Sequence, residues 1–145
     1  MKVIIVGGVA GGASCAARLR RLDEHAEIVM VERGPYLSYA NCGLPYHLSG
    51  VIPNESSLLV ANELYFKANL GIDARTNCEA VSIDAKNKTV DLRDVATGDV
   101  TTEAYDQLVL SPGATSVRPP LPGIDLPGIF QVRTVPDARA IREWI

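Results

Sequence analysis

The first apolar positions of the chain are continuous rather than alternating. Val3-Ile4-Ile5-Val6 is a β-branched run of the kind required of a strand buried on both faces of a parallel sheet. Glycines end it. From residue 10 to about 22, small residues give way to long ones. Ala13, Ala16 and Ala17 suit close approach to a sheet, and Leu19 and Leu22 extend the same apolar side, which predicts a helix. Ile28-Val29-Met30-Val31 predicts a second buried strand. Residues 2–32 thus form a strand, helix, strand unit of roughly the 30 residues such units take, with parallel strands and a right-handed connection.

From Gly34 to about Gly50 the periodicity stops, and aromatics, small polar residues and turn formers predict a loop leading into a short helix. Asn62 followed by residues 63–70 and Gly71 reads as a capped helix, with a short strand near residues 72–75. Beyond Cys78, short strands at 80–83, 89–93 and 100–105 are separated by the turn sequences Asp84-Ala85-Lys86-Asn87 and Ala96-Thr97-Gly98-Asp99, which predicts a three-stranded antiparallel meander. Leu108-Val109-Leu110 returns to the buried-strand pattern, and the Pro- and Gly-rich stretch 119–128 is expected to be an ordered surface loop. A helix is expected to begin at Asp137 and to run to Ile145 without a cap, so the chain is expected to be the first piece of a longer protein. The fold class is α/β.

Composition narrows the function classes. The 145 residues are 47% hydrophobic and 21% charged with a net charge of −3, so bulk charge does not favour a nucleic-acid partner. No apolar run approaches the roughly 18 residues of a membrane span, so no membrane partner is expected. The three cysteines, Cys15, Cys42 and Cys78, have long, unequal spacings that suggest neither a disulfide framework nor a paired-cysteine metal site. A reducing, cytoplasmic setting fits. The opening does not read as a secretory signal, because four glycines interrupt its apolar stretch and Arg18-Leu19-Arg20-Arg21 follows.

Gly7-Gly8-Val9-Ala10-Gly11-Gly12 lies between the first strand and the first helix, where backbone N–H groups can receive a pyrophosphate. The strict G-x-G-x-x-G pattern would need glycine where Val9 stands, so the motif rests on its context. Glu32 supplies that context twenty residues after Gly12, at the end of the second strand, where an acid accepts hydrogen bonds from both ribose hydroxyls of an adenosine. It argues against a ribose 2′-phosphate and leaves NAD and FAD both open.

Cys42 lies in Ser38-Tyr39-Ala40-Asn41-Cys42-Gly43-Leu44-Pro45-Tyr46, with Asn41 expected to cap the short helix and Pro45 tolerated in its first turn. A thiol at a helix N-terminus gains thiolate character, whereas the bland alternative is a small buried hydrophobe. Ser14, Arg18 and Arg21 share one stripe of the first helix, which by itself reads as a solvated basic face. His25 and His47 have no partner at a telling spacing and are read as surface or packing residues.

The glycine loop, the Cys42 segment and Tyr105-Asp106-Gln107-Leu108-Val109-Leu110-Ser111-Pro112-Gly113-Ala114 together resemble the single-cysteine branch of the FAD-dependent pyridine nucleotide-disulfide oxidoreductases. Within it the chain resembles coenzyme A-disulfide reductases and CoA-dependent persulfide reductases most. Val9 in place of the middle glycine is usual there. The resemblance implies a Rossmann-like FAD-binding domain with a parallel sheet and an antiparallel meander. Residues 1–115 would be its first segment, with the meander at about 78–105. Residues 116–145 would connect toward an NAD(P)H-binding domain that, with a second FAD segment and a dimerisation domain, lies outside this chain.

By the same resemblance Gly7, Gly8, Val9, Ala10, Gly11, Gly12, Glu32 and Arg33 hold the FAD pyrophosphate and ribose, Ala80 and Val81 border the adenine, and Ser111, Pro112 and Gly113 pass the flavin. Cys42 would be the redox nucleophile, forming a mixed disulfide with coenzyme A. Ser14, Arg18, Arg21, Ser38, Asn41 and Lys67 would contact coenzyme A, the arginines suiting its phosphates. Cys15 and Cys78 are left as packing and meander residues, and no metal is implied. The whole protein would be a homodimer, and residues 1–145 alone are not expected to turn over. Two other readings stand beside this one. They are an NADH oxidase or peroxidase cycling Cys42 through a sulfenic acid, and a nucleotide-binding module without catalysis.

Overall fold

The computed structural model describes residues 1–145, which divide into two compact units, 1–39 with 61–112 and 40–60 with 113–145. The second unit takes in residues 40–60, which the sequence assigns to the first segment.

The first unit is built on four parallel strands, β1 (Lys2–Val6), β2 (Glu27–Val31), β3 (Asp73–Arg75) and β7 (Gln107–Leu110), in the order β3-β2-β1-β7. Period-two alternation sends Val3, Ile5, Ile28 and Met30 to one face and Ile4, Val29 and Val31 to the other, and both faces are covered. The first is packed by Ala13 and Ala16 of α1 (Ala10–Leu22) and by Phe66 of α3 (Glu63–Leu70). The second is packed by Val90 and Leu92 of the meander. From Val3 to Ile5 no position of β1 is free to be polar, which is why this run does not alternate.

The meander is the antiparallel sheet of β4 (Cys78–Asp84), β5 (Thr89–Asp94) and β6 (Val100–Ala104), with a bulge between Ala80 and Ser82. Its turns close on carboxylates: Asp84 accepts from the N–H groups of Lys86 and Asn87, and Asp94 from those of Ala96 and Thr97. α3 has the expected ends, with Asn62 accepting the Tyr65 N–H at 2.9 Å and Gly71 in the left-handed conformation at φ 57°.

The second unit contains α2 (Leu44–Leu48) and α4 (Val135–Trp144), with Leu44, Leu58, Val135 and Ala138 buried. The helix expected from Asp137 begins two residues earlier. Thr134 caps it and Asp137 is the third residue of a capping box, its carboxylate accepting the Thr134 N–H at 2.8 Å. The signal, Thr followed three residues later by an acid, is present in the sequence.

Candidate functional site

Close packing specifies the glycine loop. Gly7 has φ +98°, and a Cβ there would lie 2.0 Å from the Ser111 carbonyl oxygen; at Gly12 it would lie 1.7 Å from the Gly7 carbonyl oxygen. These two glycines let β1 turn into α1 beneath β7. A Cβ on Gly8 would strike Leu37, and on Gly11 it would approach the Ser111 hydroxyl to 3.2 Å. α1 then begins at Ala10 with no side-chain cap from Val9 and no acid in its first turn. Its first N–H groups have no intrahelical acceptor, and a helix end with these properties suits an anion.

Glu32 is fixed beside that end. Its carboxylate accepts the Gly8 N–H at 2.8 Å and the Gly34 N–H at 2.9 Å, one on each oxygen, which leaves lone pairs on both for hydroxyl donors. The Glu32 peptide also joins β3 to the meander, accepting from Cys78 N–H and donating to Arg75 O. The Ser38 N–H donates to Gly8 O at 2.9 Å, with Ser38 itself at φ +42°. The first unit therefore gathers Gly7, Gly8, Gly11, Gly12, Glu32, Ser38 and Ser111. Arg33 is turned to Glu79 at 3.7 Å, Ala80 packs against the meander face of the sheet and Val81 is exposed.

Ser14, Arg18 and Arg21 are exposed on α1 and Lys67 is exposed in the last turn of α3; none makes a side-chain hydrogen bond or ion pair. Arg20 behaves differently. Its guanidinium donates to the carbonyls of Asp23, Glu24, Ala26, Leu70 and Gly71, so it is consumed in tying α1 to α3 and to the entry of β2. The sequence reading did not single it out.

Cys42 is the one exposed thiol; Cys15 and Cys78 are half-buried. Burial pushes the Cys78 thiol up from its usual range, with Arg75 partly opposing, and Cys15 packs into the α1 side of the core. In the second unit Cys42 occupies a 3-10 turn, Asn41–Gly43, that runs directly into α2. The expected Asn41 cap is not formed. Asn41 is the first residue of the turn, its side chain caps nothing, and Gly43 stands at the N-cap of α2 with Pro45 in the first turn. A five-residue helix has little dipole to lend, so what defines this turn is packing. Gly43 is buried where a Cβ would lie 2.8 Å from the Leu58 side chain, and the Ala40 N–H donates to Leu58 O at 2.8 Å. Gly113 lies at φ +71° beside Arg133, whose Nε donates to Ala114 O. No cluster of side chains fit to hold a metal is present.

Residues 1–144 match the family described as pyridine nucleotide-disulphide oxidoreductase. The chain belongs to this family. A coenzyme A disulfide reductase of Staphylococcus haemolyticus is 38% identical over 144 residues, 99% of this chain and 32% of the relative. An NADH oxidase of Methanocaldococcus jannaschii is 33% identical over 145 residues, all of this chain and 32% of the relative. Among solved structures, reduced Bacillus anthracis CoADR-RHD superimposes with a TM-score of 0.96 at 48% identity, covering 99% of this chain and 26% of that one. The chain thus spans about a third of the length of the curated relatives it matches.

The glycine turn, the uncapped start of α1 and the anchored Glu32 carboxylate fit a dinucleotide pyrophosphate and its ribose.

Proposed function

We propose that this chain is the FAD-binding, cysteine-bearing part of an NAD(P)H-dependent reductase of coenzyme A disulfide or persulfide, acting through a mixed disulfide on Cys42. The observation that carries the proposal is the exposure of Cys42 alone among three thiols, in a chain whose family reduces disulfides. The loop from Gly7 to Gly12, Glu32 and Arg33, Ala80 and Val81, and Ser111 to Gly113 would hold FAD. When bound, it would relay an electron pair from NAD(P)H to the disulfide. The Cys42 thiolate attacks one sulfur of coenzyme A disulfide, forming a Cys42–coenzyme A disulfide and releasing one coenzyme A thiolate. An electron pair and a proton then free the second coenzyme A and restore Cys42. Arg18, Arg21 and Lys67, each without a protein partner, offer charge to the phosphates of coenzyme A, with Ser14, Ser38 and Asn41 as polar contacts. Residues 1–115 act as the first FAD segment, the working assembly is a homodimer, and its setting is the cytoplasm.

The test is intact mass after exposure to coenzyme A disulfide, with the modified peptide located. A reductant-labile adduct of coenzyme A mass on Cys42, absent in Cys42→Ser, is expected. An unmodified Cys42, or one that forms only a sulfenic acid with peroxide, would overturn the coenzyme A reading. It would favour the oxidase chemistry that the likeness to an NADH oxidase supports.

A further inference from the structure

We infer that His47, held by Arg142, is a positioning residue for Cys42; the inference deepens the proposed function and rests on Cys42 being the nucleophile. His47 is 3% exposed and is the only buried polar or charged side chain in the chain. Burying an imidazole is costly unless both nitrogens are satisfied, so its partners define its role. Nδ1 lies 2.7 Å from the Ile52 carbonyl, which can only accept, so Nδ1 carries the proton. The Arg142 Nη1 lies 3.1 Å from Nδ1 and 3.2 Å from Nε2, so the guanidinium stands against the ring as a whole rather than on one lone pair. The same Nη1 donates to the Pro53 carbonyl at 3.0 Å. One buried ring therefore joins α2, the 52–53 turn and α4.

This ring lies five residues after the thiol, in a helix too short to hold itself. Gly43, Leu44 and His47 form the buried side of the 3-10 turn and α2, while Cys42, Pro45 and Tyr46 are exposed. Leu44 fixes how deep that side sits, but apolar packing does not fix rotation about the helix axis. The directional bonds do: His47 to Ile52 O, and the Ile52 N–H to Tyr46 O at 3.0 Å. By setting that rotation His47 sets the direction in which the Cys42 thiol is presented.

His47→Asn keeps a donor near the place of Nδ1, whereas His47→Leu has nearly the same shape and no donor. In His47→Leu, amide exchange at Gly43 and Ile52 is expected to rise, and adduct formation on Cys42 with coenzyme A disulfide to slow about tenfold. Alkylation of Cys15 and Cys78 should not change. His47→Asn is expected to restore both exchange and rate, and Arg142→Met to shift them in the direction of His47→Leu, which covers the case that His47→Leu fails to fold. The inference is overturned if exchange at Gly43 and Ile52 is unaltered, if Asn does not rescue, or if Cys15 and Cys78 open in parallel, which marks general loosening. If wild-type Cys42 takes no coenzyme A, the proposed function falls, and the exchange comparison alone decides whether His47 orients the turn.

Discussion

At the scale of single residues, Gly12 is the least replaceable position. The atom that a Cβ would meet at 1.7 Å is backbone, the Gly7 carbonyl oxygen, and it cannot rotate away. Gly12→Ala is expected to lose both bound flavin and the cooperative melt, read by absorbance and circular dichroism. Gly50, at φ +82° with open space around it, is the control: Gly50→Ala should cost only about 1 kcal/mol from its conformation and leave flavin content unchanged. The two glycines look alike in the sequence, and only the strand-to-helix context of residues 7–12 separates them. The position of Glu32 at the end of β2, beside that turn, was legible for the same reason. The Asn41 cap was misread because the chain puts a 3-10 turn where a cap had been expected, and no local signal distinguishes the two.

At the scale of elements, both faces of β1 could be read from its unbroken β-branched run, and the meander from its turn residues. What could not be read was which arginine of α1 is structural. Arg18 and Arg20 are two positions apart and so point to different sides of the helix, and the carbonyls that claim Arg20 come from the end of α3 and from the loop between α1 and β2. Arg20→Met is expected to lower stability to urea by about 2–3 kcal/mol, since it strands several carbonyls at once. Arg18→Met should stay within about 0.5 kcal/mol and, under the proposed function, slow adduct formation with coenzyme A disulfide.

At the scale of the whole molecule, the parallel sheet and the meander are clasped by Glu103. It bonds Arg75 of β3 at 2.5 Å and Lys2 of β1 at 2.9 Å. Burial opposes its ionisation, but the hydrogen bonds from Arg75 and Lys2 win and hold its carboxyl below the usual 4.5. A carboxylate depressed in this way contributes stability that is full above its unfolded value and is lost as pH falls through its folded value. Glu103→Gln is therefore expected to melt lower than wild type at neutral pH, by about 1 kcal/mol, and the gap should close as pH drops below about 4.5. Thermal melts across that range provide the check.

The second unit is assembled from two stretches of chain separated by residues 61–112, and its bond between His47 and Arg142 joins positions 95 apart. A ribosome adding about 5–20 residues each second takes about 5–20 s to travel from one to the other. Throughout that interval the cysteine turn exists without the helix that anchors it. During synthesis the Cys42 thiol is therefore made early and its turn anchored late.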